Sequence, residues 1–357
     1  MILIILSLFQ FAFPILEELP TKLSDLPSFE DSAQGWDVSD QTLPYELNVP
    51  LFSDYAKKLR TISIPNLVSS PIIQINPQGG EFEFPLGTIL TKTFYYNPED
   101  IQVLPPYPAV FPLPFKNALS PMDQKIPIET RILVHSSKGW IGASYLWDHQ
   151  AQEAYLSELG ENILLVYKGV EFTYTVPDKN QCLGCHIKTK NFERKILPLG
   201  PKLENMDTVS EQLKVMQDKG WFEKNAATPK ATHPWRFHHL SLEEKAKSYL
   251  HINCAHCHNS QGPAKASGLF LTYDEKNKTK RGLCKAPVAV GNAGGNMPYV
   301  IYPGKPEKSL LIYRMKSTDP HTKMPELGRS LVDKENVELM ENYIKEMKEN
   351  CGKKIGN

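Results

Sequence analysis

Two five-residue segments repeat one pattern of reactive side chains: Cys182-Leu183-Gly184-Cys185-His186 and Cys254-Ala255-His256-Cys257-His258. In each, two thiols stand three residues apart, which on a helical turn places them on one face. Thiols so placed can add to the two vinyl groups along one edge of a haem, and the histidine that follows reaches the iron from the same side. Cys-x-x-Cys pairs also bind zinc, and the two pairs could combine as a Cys₄ site or each close as a disulfide. Neither alternative uses the histidine that follows each pair. The pattern therefore implies two covalent haems c, with Cys182, Cys185, Cys254 and Cys257 as attachment points and His186 and His258 as iron ligands.

A thioether opposite a histidine is a common axial pair and raises the potential. Thr322-Lys323-Met324-Pro325 lies far enough beyond His258 for a small helical domain to wrap one haem, which makes Met324 the candidate second ligand there. A single methionine is more often core filler, but this one sits in a polar stretch between Arg314 and the last expected helix. Met297, in Gly294-Gly295-Asn296-Met297-Pro298, is its rival. The first segment has no comparable partner. Met206, Met216, His233, His238 and His239 follow it, each better suited to core or surface. His256 could reach the first haem only if the two segments lie close together, and a five-coordinate iron is the remaining case. Cys284 and Cys351 are left over: a disulfide suits an oxidising compartment, and free thiols or a bond to another chain are the alternatives.

The elements that must position these residues fall into two styles. From about Pro44 to Val176 the chain reads as β. Glu81-Phe82-Glu83-Phe84 alternates, Gly87 to Tyr96 is rich in β-branched and aromatic residues, and Arg131 to His135 is a strand ending in the turn Ser136-Ser137-Lys138-Gly139. Ile163 to Tyr167 and Glu171 to Val176 flank Lys168-Gly169-Val170 as a hairpin. Pro105 to Pro121 reads as an extended surface loop. Beyond Asp178 the signals turn helical. Ser210 opens a helix through Met216, Ser241-Leu242-Glu243-Glu244 is a capping box leading into the second Cys-x-x-Cys-His segment, and Val337, Met340 and Ile344 share one face of a last helix.

Composition narrows the class. The chain has 357 residues, enough for two or three cores, and its 40 basic and 40 acidic residues cancel, which gives no footprint for nucleic acid. The 29 prolines argue against a mostly helical bundle. Met1 to Phe13 has the length of a signal-peptide core and is too short to span a bilayer, although no basic residue precedes it and no clear cleavage site follows. No other segment reads as a membrane span.

The chain resembles the bacterial dihaem c-type cytochromes long catalogued as a conserved hypothetical family. The residues that carry the likeness are Pro44 to Tyr55, Phe84-Pro85-Leu86-Gly87-Thr88, Asn180-Gln181 before the first motif, Ile252 to Asn259, Gly262-Pro263-Ala264, and Met324 to Ser330. They occur in the family's order over about residues 40–347, and Pro303 to Ser309 looks like the stretch before the methionine in other haem-binding cytochrome domains. The resemblance implies electron transfer in the bacterial periplasm with a redox partner protein.

The expected architecture is multidomain β plus α. Residues 1–16 are a signal peptide, 17–43 a linker, and 44–178 an antiparallel β sandwich or open barrel. Residues 179–235 are the first haem-binding segment and 236–357 a helical, class-I-like cytochrome c domain. The expected function is electron transfer. A dihaem peroxidase or oxidase with an open first haem, and a β-domain binding module wired to a cytochrome, are the alternatives.

Overall fold

The computed structural model describes residues 15–32, 35–65, 73–76, 80–107, 112–113, 122–190, 193–206, 211–223, 235, 237–288 and 296–352. Its strands are β1 (Phe29–Ser32), β2 (Gly35–Val38), β3 (Thr42–Tyr45), β4 (Lys57–Ser63), β5 (Gln74–Ile75), β6 (Phe82–Glu83), β7 (Ile89–Tyr96), β8 (Ile101–Val103), β9 (Ile126–Ser136), β10 (Gly139–Asp148), β11 (Glu153–Ser157), β12 (Glu161–Tyr167), β13 (Val170–Val176), β14 (Ile187–Lys190) and β15 (Glu193–Ile196). Its α-helices are α1 (Lys179–His186), α2 (Gln212–Asp218), α3 (Leu242–Asn253), α4 (Leu310–Lys316) and α5 (Lys334–Glu346).

The molecule is organised by a six-stranded antiparallel sheet in the order β11-β10-β9-β7-β4-β3, with a three-stranded sheet β13-β12-β8 beside it. Side chains alternate faces along each strand, so each face has its own set of covering residues. Leu59, Ile89, Tyr95, Ile132, Val134, Tyr145 and Trp147 pack on one side against Leu23, Leu26, Phe29 and Trp36. Trp36 meets Trp147 edge-on at 4.8 Å between ring centroids, and its indole N–H donates to the Gln152 carbonyl at 2.9 Å. Residues 17–43 are therefore not the linker expected from their polar composition. Their described residues form a short 3₁₀ turn and the β1–β2 hairpin and pack on one sheet face together with Leu113 and Met122.

The opposite face is covered at its two ends. Phe94, Tyr96, Ile126 and Ile128 pack with β12 and β13 at one end. Ile62 and Leu90 pack with Met206, Leu213, Met216, Trp221 and Phe222 at the other. The expected 163–176 hairpin is present. Lys168 and Gly169 both have positive φ, 47° and 82°, as a tight two-residue turn requires. The expected strand at Glu81 to Phe84 shrinks to two paired residues. Of the proline-rich loop, Leu113 is buried and pairs with Lys125, and most of its other residues lie outside those described.

The C-terminal part packs α3, α4 and α5 around Leu250, Leu269, Ile312, Met340 and Ile344. The Ser241 capping box forms as read: its hydroxyl accepts the Glu244 N–H, and Glu244 reaches back to the Ser241 N–H at 2.9 Å. The serine expected to open α2 lies outside the described residues, and that helix starts after Glu211 with no side-chain cap. Among the described residues no helix is long and apolar enough to cross a membrane, and residues 1–14 of the expected leader are outside them.

Candidate functional site

The first Cys-x-x-Cys-His segment lies on α1, whose start is fixed by a second capping box: the Asp178 carboxylate accepts the Gln181 N–H at 2.8 Å, and Gln181 Oε1 accepts the Asp178 N–H at 3.1 Å. The helix ends at His186, where the chain turns into β14. Its ring Nδ1–H donates to the Leu197 carbonyl at 2.9 Å, which leaves Nε2 carrying the lone pair. Burial holds the His186 imidazolium down, to a pKa of about 4, so the ring is neutral at physiological pH as a metal ligand must be.

The second segment follows directly from α3. Cys254 N–H and Ala255 N–H both donate to Leu250 O, and His258 N–H returns to Cys254 O at 2.9 Å. Asn259 Nδ2 holds the carbonyls of Ala255 and His256 at 2.7 and 3.2 Å. Gly262 passes so close that a Cβ there would lie 2.3 Å from the Cys257 carbonyl, which accounts for a glycine at that place. Burial lowers the His258 pKa to about 4 and raises the Cys254 thiol to about 12. Ser267 Oγ lies 3.4 Å from His258 Nδ1.

The two segments meet. The ligating atoms of Cys185, His256 and Cys257 all lie within 4.8 Å of one another, and the contact with the Cys257 thiol makes Cys185 the more acidic of the pair. A cavity of about 450 Å³ opens beside them. Its wall contains Cys182, Cys185 and His186 from the first segment and Ala255 and His256 from the second, but not Cys254, Cys257 or His258. Met324 and Met315 are on the wall and Met297 is not. Met206 and Met216 are fully buried in the sheet-face core, His238 and His239 are exposed, and His233 lies outside the described residues.

The floor of the cavity is a row of cations that sequence reading did not single out. Arg60 on β4 is paired with Lys92 on β7, and Lys92 with Arg131 on β9, so three basic residues stand directly opposite one another on one sheet face. Like charges so placed repel. Arg131 is answered by Glu129, which it holds through Nε at 2.9 Å. Among the described residues neither Arg60 nor Lys92 forms an ion pair. Burial, with Arg131 and Arg60 adding to it, pulls Lys92 down to a pKa of about 7, and burial also lowers Arg60. Period 2 places Lys92 between Leu90 and Phe94, one residue from each end cluster.

The methionine loop closes the other side. Arg329, only 5 % exposed, donates to the carbonyls of Met324 at 2.8 Å, Arg314 at 3.1 Å, Ser317 at 3.0 Å and Leu331 at 3.1 Å. One stretch of the β-rich part reaches Asn205, the end of α3 and this loop, and Ser330 Oγ also donates to the Thr173 carbonyl on β13 at 2.5 Å. Val49 N–H donates to Asn205 Oδ1, Phe52 N–H to Asn253 Oδ1, and Asp54 Oδ1 accepts from Ser330 and Leu331. Cys284 and Cys351 are bonded as a disulfide. Comparisons of the chain with protein-family models, with curated proteins and with solved structures returned no match.

Proposed function

We propose that this chain is an exported dihaem c-type cytochrome of the bacterial periplasm, a member of the family it resembles, that passes electrons to a redox partner protein. The observation that carries the reading is that the two Cys-x-x-Cys-His segments meet beside one 450 Å³ cavity, which the first lines with Cys182, Cys185 and His186 and the second with Ala255 and His256, a volume within the usual range of ligand sites. The donor set fits the cofactor. Four cysteines outside any disulfide stand in the two motifs, the Nδ1 hydrogen bond of His186 aims Nε2 away from Leu197, and Arg60 and Lys92, which form no ion pair among the described residues, suit the two propionates of a haem. Cys182 and Cys185 would hold one haem edge with His186 on its iron. Cys254 and Cys257 would hold the second haem, and His258 and Met324 would be its iron ligands from the helical part α3–α5. Bound there, haem c supplies an iron that cycles between Fe(III) and Fe(II).

Mass spectrometry of denatured protein made with haem c maturation machinery tests this. Two haems should remain attached, and Cys182→Ala with Cys185→Ala should remove one. Cys185, His256 and Cys257 together also make a site for a soft metal ion such as zinc. Bound zinc with no attached haem would establish that second reading instead.

A further inference from the structure

We propose that His256, inside the second Cys-x-x-Cys-His segment, is the distal axial ligand of the haem held by the first. This rests on the dihaem reading. Five histidines and methionines of the described residues line the cavity: His186, His251, His256, Met315 and Met324. His186 belongs to the attachment motif itself. His251 is engaged on both ring nitrogens: Nδ1 accepts the Tyr273 N–H at 2.9 Å, and Nε2 contacts Lys202 Nζ at 2.8 Å. Met324 is held by the Arg329 loop, and Met315 is buried in the core of α3–α5. His256 is left, and its Nδ1 is buried with no hydrogen-bond partner among the described residues. Such an orphan costs folding free energy unless something answers it.

A metal ion can answer it. The ring lies beside the Cys185 sulfur. Attachment of the first haem adds the Cys185 S–H across a vinyl C=C, sulfur to one carbon and hydrogen to the other. The sulfur is then a thioether, with no thiol proton left beside the ring. A neutral imidazole donates a lone pair to iron with no oxidant or proton acceptor required. As an x position of its own motif, His256 is not needed to attach the second haem.

His256→Ala decides the matter, with mass spectrometry, electron paramagnetic resonance and carbon monoxide titration on the purified holoprotein. Two attached haems should persist. One ferric signal should turn from low-spin to high-spin, the reduced protein should gain one carbon monoxide site, and added imidazole should restore the low-spin signal. Two unchanged low-spin signals would overturn the assignment while leaving the dihaem reading intact. So would the same spin change in Lys92→Met but not in His256→Ala, which would make the amine the ligand. Loss of both haems from the unsubstituted protein would instead remove the reading beneath it.

Discussion

Asp54 and Leu331, 277 residues apart, are joined by a 2.6 Å hydrogen bond from the Leu331 amide to the Asp54 carboxylate. The same oxygen takes the Ser330 N–H at 2.7 Å, so one side chain of the β-rich part holds the loop that carries Met324. Asp54→Ala should cost roughly 2–4 kcal/mol, because two amides of half-buried residues lose their acceptor. Asp54→Asn should behave differently. Burial, the largest influence, raises the Asp54 pKa above the ordinary carboxylate value. A raised acid contributes fully below its unfolded value of about 3.9 and loses that contribution as pH rises through its folded value. The amide keeps the acceptor without the charge, so Asp54→Asn should match or exceed the parent at pH 7 and lose any advantage near pH 4. Denaturant midpoints at the two pH values check this; equal damage from both variants would contradict it.

Met324→Ala should abolish the near-infrared thioether-to-iron band and lower the potential of the second haem, since the thioether favours Fe(II). Arg329→Lys should weaken the same band and destabilise the protein by roughly 2–4 kcal/mol, because one ammonium cannot span the four carbonyls the guanidinium now holds. An unchanged band in both would move the ligand away from this loop.

Arg60→Met should lower the potential of the first haem, and Lys92→Met should do so below about pH 7, where the lysine carries its charge, since a nearby positive charge favours the reduced iron. A unit charge about 10 Å away, at an effective dielectric of about 20, is worth on the order of 50–100 mV. Exposed Lys57 serves as the control and its removal should shift the potential little. Potentiometric titration reads all three. Equal small shifts would mean the cations do not sit under the haem.

The Cys284–Cys351 disulfide closes a loop of 67 residues that contains α4, Met324 and α5. Chain-entropy arguments put its contribution at about 4 kcal/mol. Cys284→Ser with Cys351→Ser should lower the unfolding free energy by that order, and thiol titration of denatured, unreduced holoprotein should find no free thiol.

The parts of this fold legible from sequence are those specified locally. The Ser241 box, the Lys168-Gly169 turn and the α5 stripe each lie within one element, where residue type and spacing fix conformation directly. The Asp178–Gln181 box is equally local, but its signal is overshadowed by the cysteines it precedes. Leu310 to Lys316 is a short apolar run, which periodicity alone cannot divide between strand and helix. Residues 17–43 misled for another reason. Leu23, Leu26, Phe29 and Trp36 are scattered among prolines and acids, and only the sheet face they cover gives them a common direction. The cation floor was hidden likewise. Arg60, Lys92 and Arg131 are remote in the chain, and nothing short of the strand register puts them side by side.

The joints made by Val49, Phe52 and Asp54 span separations of 156, 201 and 276 residues. Closing such loops carries its entropic cost before any contact repays it, so long-range joints of this kind form late in folding. The order of assembly follows. Each motif lies at or beside a helix that can form from its own capping box while the two walls of the cavity are still apart, and a bulky group can enter then from open solvent. Once the Pro44–Tyr55 stretch joins the distant segments, it adds Tyr45, Leu47 and Phe52 to the cavity wall, and the wall is completed around whatever the cavity has received.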